Sequence, residues 1–153
     1  MAKKKTYSNK GKVSQIDDPI IGYGVPLLHV LNGLTYNDID TTHMPGKSLV
    51  EIQEQTSLSA QVIANVIGVS KSKFYDLIHL DDLGAKNIDA LADFAALWQK
   101  GLSAFDGDKD LLNEWLETRN TNLGDKPINF LSSRMGRREL EKAFLRIEFS
   151  TYG

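Results

Sequence analysis

The chain has 153 residues, a net charge of −2, 41% hydrophobic and 25% charged residues, and no cysteine. Such a composition suits one ordinary soluble domain or two small ones, and it excludes disulfides, thiol catalysis and the cysteine ligands of structural zinc. No apolar run is long enough to span a bilayer, and the basic start lacks the apolar core of a signal peptide, so the chain reads as cytoplasmic.

Charge is unevenly placed. Residues 1–12 hold Lys3, Lys4, Lys5, Lys10 and Lys12 and no acid, so with a total of −2 the rest of the chain carries −7. Residues 1–24 therefore read as a flexible basic arm, with Asp17-Asp18-Pro19 and Gly22-Tyr23-Gly24 as breakers. The arm could touch phosphates; a disordered, solubilising start is the simpler reading. The lone Gly-x-Gly has no strand before it and no third glycine, which argues against a phosphate loop. Pro26 to Leu31 could form a short helix closed by Asn32-Gly33, and Tyr36 to Pro45 is polar and loop-like.

Helical signals strengthen from Gly46. Leu49, Val50 and Ile52 suggest a helix over about Lys47–Gln55, interrupted at Thr56-Ser57. Ser57 or Ser59 can cap the next helix, whose apolar face is Val62, Ile63, Val66 and Ile67 and which stops at Gly68. Ser70 caps a further helix, Lys71 to about His79, with Phe74, Leu77 and Ile78 inward. A helix, a glycine, an apolar residue, a cap and a second helix form the pattern of a helix-turn-helix, with Val69 plugging the angle. Plain helical hairpins share this corner. As a DNA reader, the second helix would offer Lys71, Ser72, Lys73 and Tyr75, and lysines with a serine suit phosphate contact better than base reading. From Val13 to Leu80 the bases are only Lys47, Lys71 and Lys73 against seven acids, so a dimer or the lysine arm would have to compensate.

Asp81-Asp82-Leu83-Gly84 reads as a linker, and Asn87 as the cap of the longest helix, about Ile88 to Phe105. Ile88, Leu91, Ala95, Trp98, Leu102 and Phe105 recur at steps of three and four, while Ala92, Phe94 and Leu97 widen the apolar surface. This helix is the expected platform for both flanks. Asp108 caps a short helix with Leu111, Leu112, Trp115 and Leu116 on one face, broken by Asn122-Leu123-Gly124-Asp125. Pro127 opens a second short helix with Ile128, Phe130 and Leu131. Met135-Gly136 reads as a corner before a third, striped by Leu140, Ala143, Phe144 and Ile147. Three such small helices cannot bury their faces alone, so a partner protein is expected to cover what the platform does not.

Taken together, Glu114-Trp115-Leu116, Asn122-Leu123-Gly124, Lys126-Pro127-Ile128-Asn129-Phe130-Leu131, Gly136, Leu145-Arg146-Ile147-Glu148 and Tyr152 resemble the toxin-binding domain of antitoxins of the Xre/MbcA/ParS type. The likeness spans Gly46 to Gly153. It implies an all-α protein, with an Xre-like helix-turn-helix DNA-binding region over 25–86 and a long helix with a toxin-binding domain over 87–153. It further implies neutralisation of a cognate toxin, usually a RES-domain enzyme that attacks NAD, by an antitoxin whose C-terminus lies at or near the toxin's active site. Repression of its own operon, a homodimer and higher-order toxin–antitoxin complexes belong to the same expectation. Basic residues are common in the family where this chain has Asp76-Leu77-Ile78-His79. That departure keeps open DNA binding only in complex with toxin, and a regulator unrelated to any toxin.

The residues expected to meet a toxin are Arg138, Arg146, Phe149, Tyr152 and Gly153. Arg134, Arg137 and Arg138 ordinarily form a solvated basic face, and Trp115 ordinarily a core anchor. Arg146 is either surface or a forked donor across an interface. Phe149 and Tyr152 lie beyond the apolar stripe and suit partner contact, unless Phe149 folds back onto Trp98 or Phe105. His29, His43 and His79 lack metal-ligand spacing, and Asp106-Gly107-Asp108-Lys109-Asp110 lacks the later ligands of a calcium loop. No nucleophile–base pair is recognisable either, so no catalytic residue, metal or cofactor is expected.

Overall fold

A computed structural model describes residues 43–152, with the side chains of Thr151 and Tyr152 excepted. The basic arm, the short helix at Pro26–Leu31, most of the Tyr36–Pro45 loop, His29 and Gly153 lie outside the described residues. Within them the fold is all-α: α1 (Ser48–Thr56), α2 (Ala60–Ile67), α3 (Lys71–Leu77), α4 (Ala85–Ala104), α5 (Lys109–Glu117), a 3-10 turn (Pro127–Phe130) and α6 (Arg134–Tyr152). No described helix is long and apolar enough to cross a membrane.

Local chemistry sets most boundaries. α1 ends where Ser57 turns left-handed, at φ 64°. The cap of α2 is Ser59, whose hydroxyl accepts from the Val62 amide at 3.2 Å; Ser57 takes no part in it. Gly68 stops α2 at φ 76°, a conformation costly for any residue with a Cβ. Ser70 then caps α3 by accepting from the Lys73 amide at 3.0 Å. The 44–46 strap lies against the 80–84 linker. The Leu83 amide donates to the Met44 carbonyl at 2.8 Å, the Gly46 amide to the Leu80 carbonyl at 2.9 Å, and the Met44 amide to Asp82 Oδ1 at 3.1 Å. The linker is thus a clasp that ties the start of α1 to the end of α3.

α4 is the platform that its pattern predicts. Ile88, Leu91, Phe94, Ala95, Leu97 and Trp98 are all buried, and they join α2 on one side and α6 on the other. One continuous core runs from Met44 and Leu49 through Phe74 and Phe94 to Leu112, Leu140 and Phe144. Each large side chain so buried contributes about 1.5–3 kcal/mol. Asn87 does not cap α4. The helix starts two residues earlier, after Gly84, and the Asn87 side chain donates back to the Leu83 carbonyl at 2.8 Å.

The last third departs most from expectation. Instead of three short helices there are α5, one 3-10 turn and a nineteen-residue helix. Asp108 caps α5 as expected, accepting from the Leu111 amide at 3.0 Å. The Asn120 carboxamide oxygen organises the following turn, accepting from the amides of Asn122 at 2.9 Å and Leu123 at 3.1 Å, and Gly124 completes it at φ 82°. Gly136 is no corner. It is a buried residue of α6 where the helix crosses the 3-10 turn, and a Cβ there would stand 2.3 Å from the Phe130 carbonyl oxygen. The glycine serves close approach, and the helix begins before it, at Arg134. The 148–152 segment likewise continues α6.

Candidate partner-binding faces

α6 has two sides. Leu140, Ala143 and Phe144 are buried and Ile147 half-buried, which fixes the inward face as the stripe predicts. Phe144 packs edge-on to Phe105, with centroids 6.5 Å apart, and against Trp115 at 5.3 Å. Trp115 is accordingly an anchor, half-buried, with its ring also 5.8 Å from that of Phe105.

Arg137 holds the inward face in register, and this corrects the expectation of a solvated basic face at that position. It is buried, at 8% exposure. Its Nε donates to Asp93 Oδ2 at 2.6 Å and its Nη1 to the Leu131 carbonyl at 2.7 Å. The guanidinium thereby ties α6 to α4 and to the end of the 3-10 turn. The exposed pair of Lys100 and Glu141, and the Ser103 hydroxyl donating to Glu148 at 3.2 Å, extend the α4–α6 seam.

The outward side is the unusual one. Met135, Arg138, Lys142, Leu145 and Phe149 follow one another at steps of three, four, three and four, so they lie in one row. All are exposed: Met135 by 80%, Leu145 by 44% and Phe149 by 71%. Phe149 does not fold back onto Trp98 or Phe105. Arg134, Arg138 and Arg146 form no ion pair with any described residue, while Lys142 pairs with Glu139 at 3.1 Å. The result is an apolar and basic helix face with nothing of the described chain over it. Tyr152 is the last residue of α6. Sequence reasoning missed Met135 and Leu145, taking the first for a corner and the second only as part of a motif, although the 3-4-3-4 spacing was present.

Beside this row lies an open groove of about 270 Å³ between α6 and the turn after α5. Trp115, Ala143 and Ile147 line its apolar part, and Asn120, Asn122, Arg146 and Ser150 its polar rim.

The α2–α3 pair forms a separate surface. Lys71, Ser72 and Lys73 are exposed on the first turn of α3, and Tyr75 is half exposed, its ring edge-on to buried Phe74 at 5.6 Å. Gln61 and Asn65 of α2 are exposed too, joined by a 3.0 Å hydrogen bond. Phe74 and Leu77 are buried, Ile78 and Val69 half-buried against the core. The four candidate DNA-contacting residues are thus all exposed on α3, and Arg138, Arg146 and Phe149 are exposed along one side of α6. Among the described residues no group of three or more metal-ligating side chains is placed to hold a metal.

No protein-family model matches this chain, and no curated protein matches it.

Proposed function

We infer that this chain is an antitoxin: a protein that binds and neutralises a cognate toxin through the outward face of α6, and that represses its own operon through α2 and α3, acting as a helix-turn-helix. The observation that carries the reading is the exposed row Met135, Leu145 and Phe149, interleaved with Arg138 and flanked by Arg146. Aromatic and arginine side chains in a contiguous exposed patch are the composition of binding hot spots. Their position on a helix pinned by Arg137 means that little ordering entropy is lost on docking. The resemblance to the Xre/MbcA/ParS antitoxins supplies the kind of partner, a toxin of the RES-domain, NAD-degrading class. The chain itself acts by occlusion and is not an enzyme.

Co-expression with the product of the neighbouring reading frame tests this. The wild-type chain should relieve growth arrest, and Leu145→Asp with Phe149→Asp should not, while still folding. A wild-type chain that gives no relief refutes the reading.

A second reading of the DNA function has its own support. The described residues around α1–α3 carry Lys47, Lys71 and Lys73 against Glu51, Glu54, Asp76, Asp81 and Asp82. Phosphate neutralisation dominates DNA affinity, so operator binding by the complex alone is the alternative. Gel shifts with operator DNA, with and without toxin and over a salt series, separate the two. If α3 contacts phosphates, Lys71→Ala should lower the salt slope by about one.

A further inference from the structure

We propose that the groove beside the outward row is an anchor pocket for an acidic side chain of the toxin partner. This rests on the partner-binding reading and specifies the chemistry of one contact within it. The apolar part is the Trp115 ring with Ile147, a surface suited to the methylenes of a glutamate. Three of the four rim side chains, Arg146, Asn120 and Asn122, can donate to a ligand. Arg146 is exposed and has no ion pair among the described residues. Asn120 spends its carboxamide oxygen on the amides of Asn122 and Leu123, so its NH2 is what remains to offer a ligand. Among the described residues the Asn122 side chain has no hydrogen-bond partner. The Ser150 hydroxyl donates to the Ile147 carbonyl at 2.9 Å. No described carboxylate lines the groove.

A guanidinium and two carboxamides around an apolar floor complement an acceptor-only, anionic group on an apolar stem. A lysine or arginine of the partner would meet repulsion there, and a purely apolar side chain would leave the donors desolvated without a partner. The rim is also framed by fixed backbone. Asn120 and Asn122 belong to a turn closed by the Gly124 amide donating to the Asn120 carbonyl at 2.8 Å, and Arg146 sits on a helix anchored at Arg137. An acidic side chain entering here would lie next to Phe149's row, so one partner surface could engage both.

The test is the affinity of the purified chain for the protein encoded beside it, by calorimetry, with four variants. Arg146→Glu should weaken binding by at least about 30-fold, and Arg146→Gln by about tenfold or more. Arg146→Lys should lose less than Arg146→Gln, because it keeps the charge. Phe149→Ala, outside the groove, is the control for the parent reading. With Trp98→Phe as background, Trp115 becomes the single indole, and complex formation should shield it from acrylamide quenching. Circular dichroism establishes folding, which an exposed Arg146 does not govern. Weakening by Phe149→Ala with no effect of Arg146→Glu or Arg146→Gln, or with an unshielded Trp115, overturns the anchor pocket and leaves the partner reading standing. No binding by the wild-type chain, or no effect of any variant, overturns both.

Discussion

Arg137 offers the sharpest test of how α6 is held. Its guanidinium serves two unequal partners. Asp93 is about half exposed, with 45% of its side chain accessible, so water screens the ion pair and its loss should cost only about 0.5–1 kcal/mol. The Leu131 carbonyl accepts from Arg137 Nη1 in a buried hydrogen bond, and deleting that donor costs about 1–3 kcal/mol. Truncation also removes the buried aliphatic stem, worth about a further 1 kcal/mol. Arg137→Ala should therefore lower stability by about 2.5–5 kcal/mol and Asp93→Ala by less than about 1. Equilibrium urea unfolding followed by circular dichroism measures both. Arg137→Lys should fall between them, since an ammonium cannot reproduce the fork. Equal losses for Arg137→Ala and Asp93→Ala would mean that the ion pair, and not the carbonyl, fastens the helix. A loss under about 1 kcal/mol for Arg137→Ala would mean that neither does.

Other expectations follow from the same geometry. Gly136→Ala should cost about 1–3 kcal/mol, because the atom it meets at 2.3 Å is backbone and cannot swing aside; a wild-type melting curve would refute the close-approach argument. Phe149→Ala, at a position 71% exposed, should change stability by less than about 0.5 kcal/mol while weakening binding of the proposed toxin partner at least tenfold, and a large drop in melting temperature would place that ring in the core. The Met44 amide and then the Gly84 amide hold the Asp82 carboxyl below its ordinary 3.8. A folded value below the unfolded one stabilises fully above about pH 3.8 and ceases to do so as pH falls through the lower folded value. Melting temperatures taken at pH 6, 4 and 3 should fall in that window for the wild type and less for Asp82→Asn, which should start lower at pH 6; parallel profiles would remove Asp82 from the clasp.

How far the sequence carries the fold depends on the range of the signal. Ser59, Ser70 and Asp108 cap their helices through hydroxyls or carboxylates three residues from the amide they bind, and such contacts can be read from neighbours alone. The α4 stripe is legible for the same reason. What misled was any residue whose role is set by something distant. Asn87 looks like a cap, but Gly84 had already turned the chain. Gly136 looks like a corner, yet its small size answers to Phe130, which it meets only after the 3-10 turn has brought the chain back. Arg137 stands three residues before Leu140, on the line of the inward stripe, but a charged side chain among Arg134, Arg138 and Glu139 reads as solvated until its partners are known. Its partners, Asp93 and Leu131, come from two other elements.

The same distinction explains why the exposed row of α6 is only half legible in the sequence. Period alone assigns Leu140, Phe144 and Ile147 to one face of α6, and the opposite face follows from subtraction only if the helix is known to be long and unbroken. A corner at Met135-Gly136 and a stripe that stops at Ile147 leave both ends of that row, Met135 and Phe149, outside the pattern. Restoring a continuous Arg134–Tyr152 helix puts Met135, Leu145 and Phe149 in line and leaves Arg138 and Arg146 beside them. Burial cannot be the reason for these side chains, since the described chain buries none of them. Helix propensity does not explain them either, because phenylalanine is a poorer helix former than the lysine or glutamate an exposed site ordinarily carries. An exposed aromatic-arginine row on a helix whose other face is firmly anchored is what a second polypeptide would require, and it is on this face, more than on the α2–α3 corner, that the antitoxin reading depends.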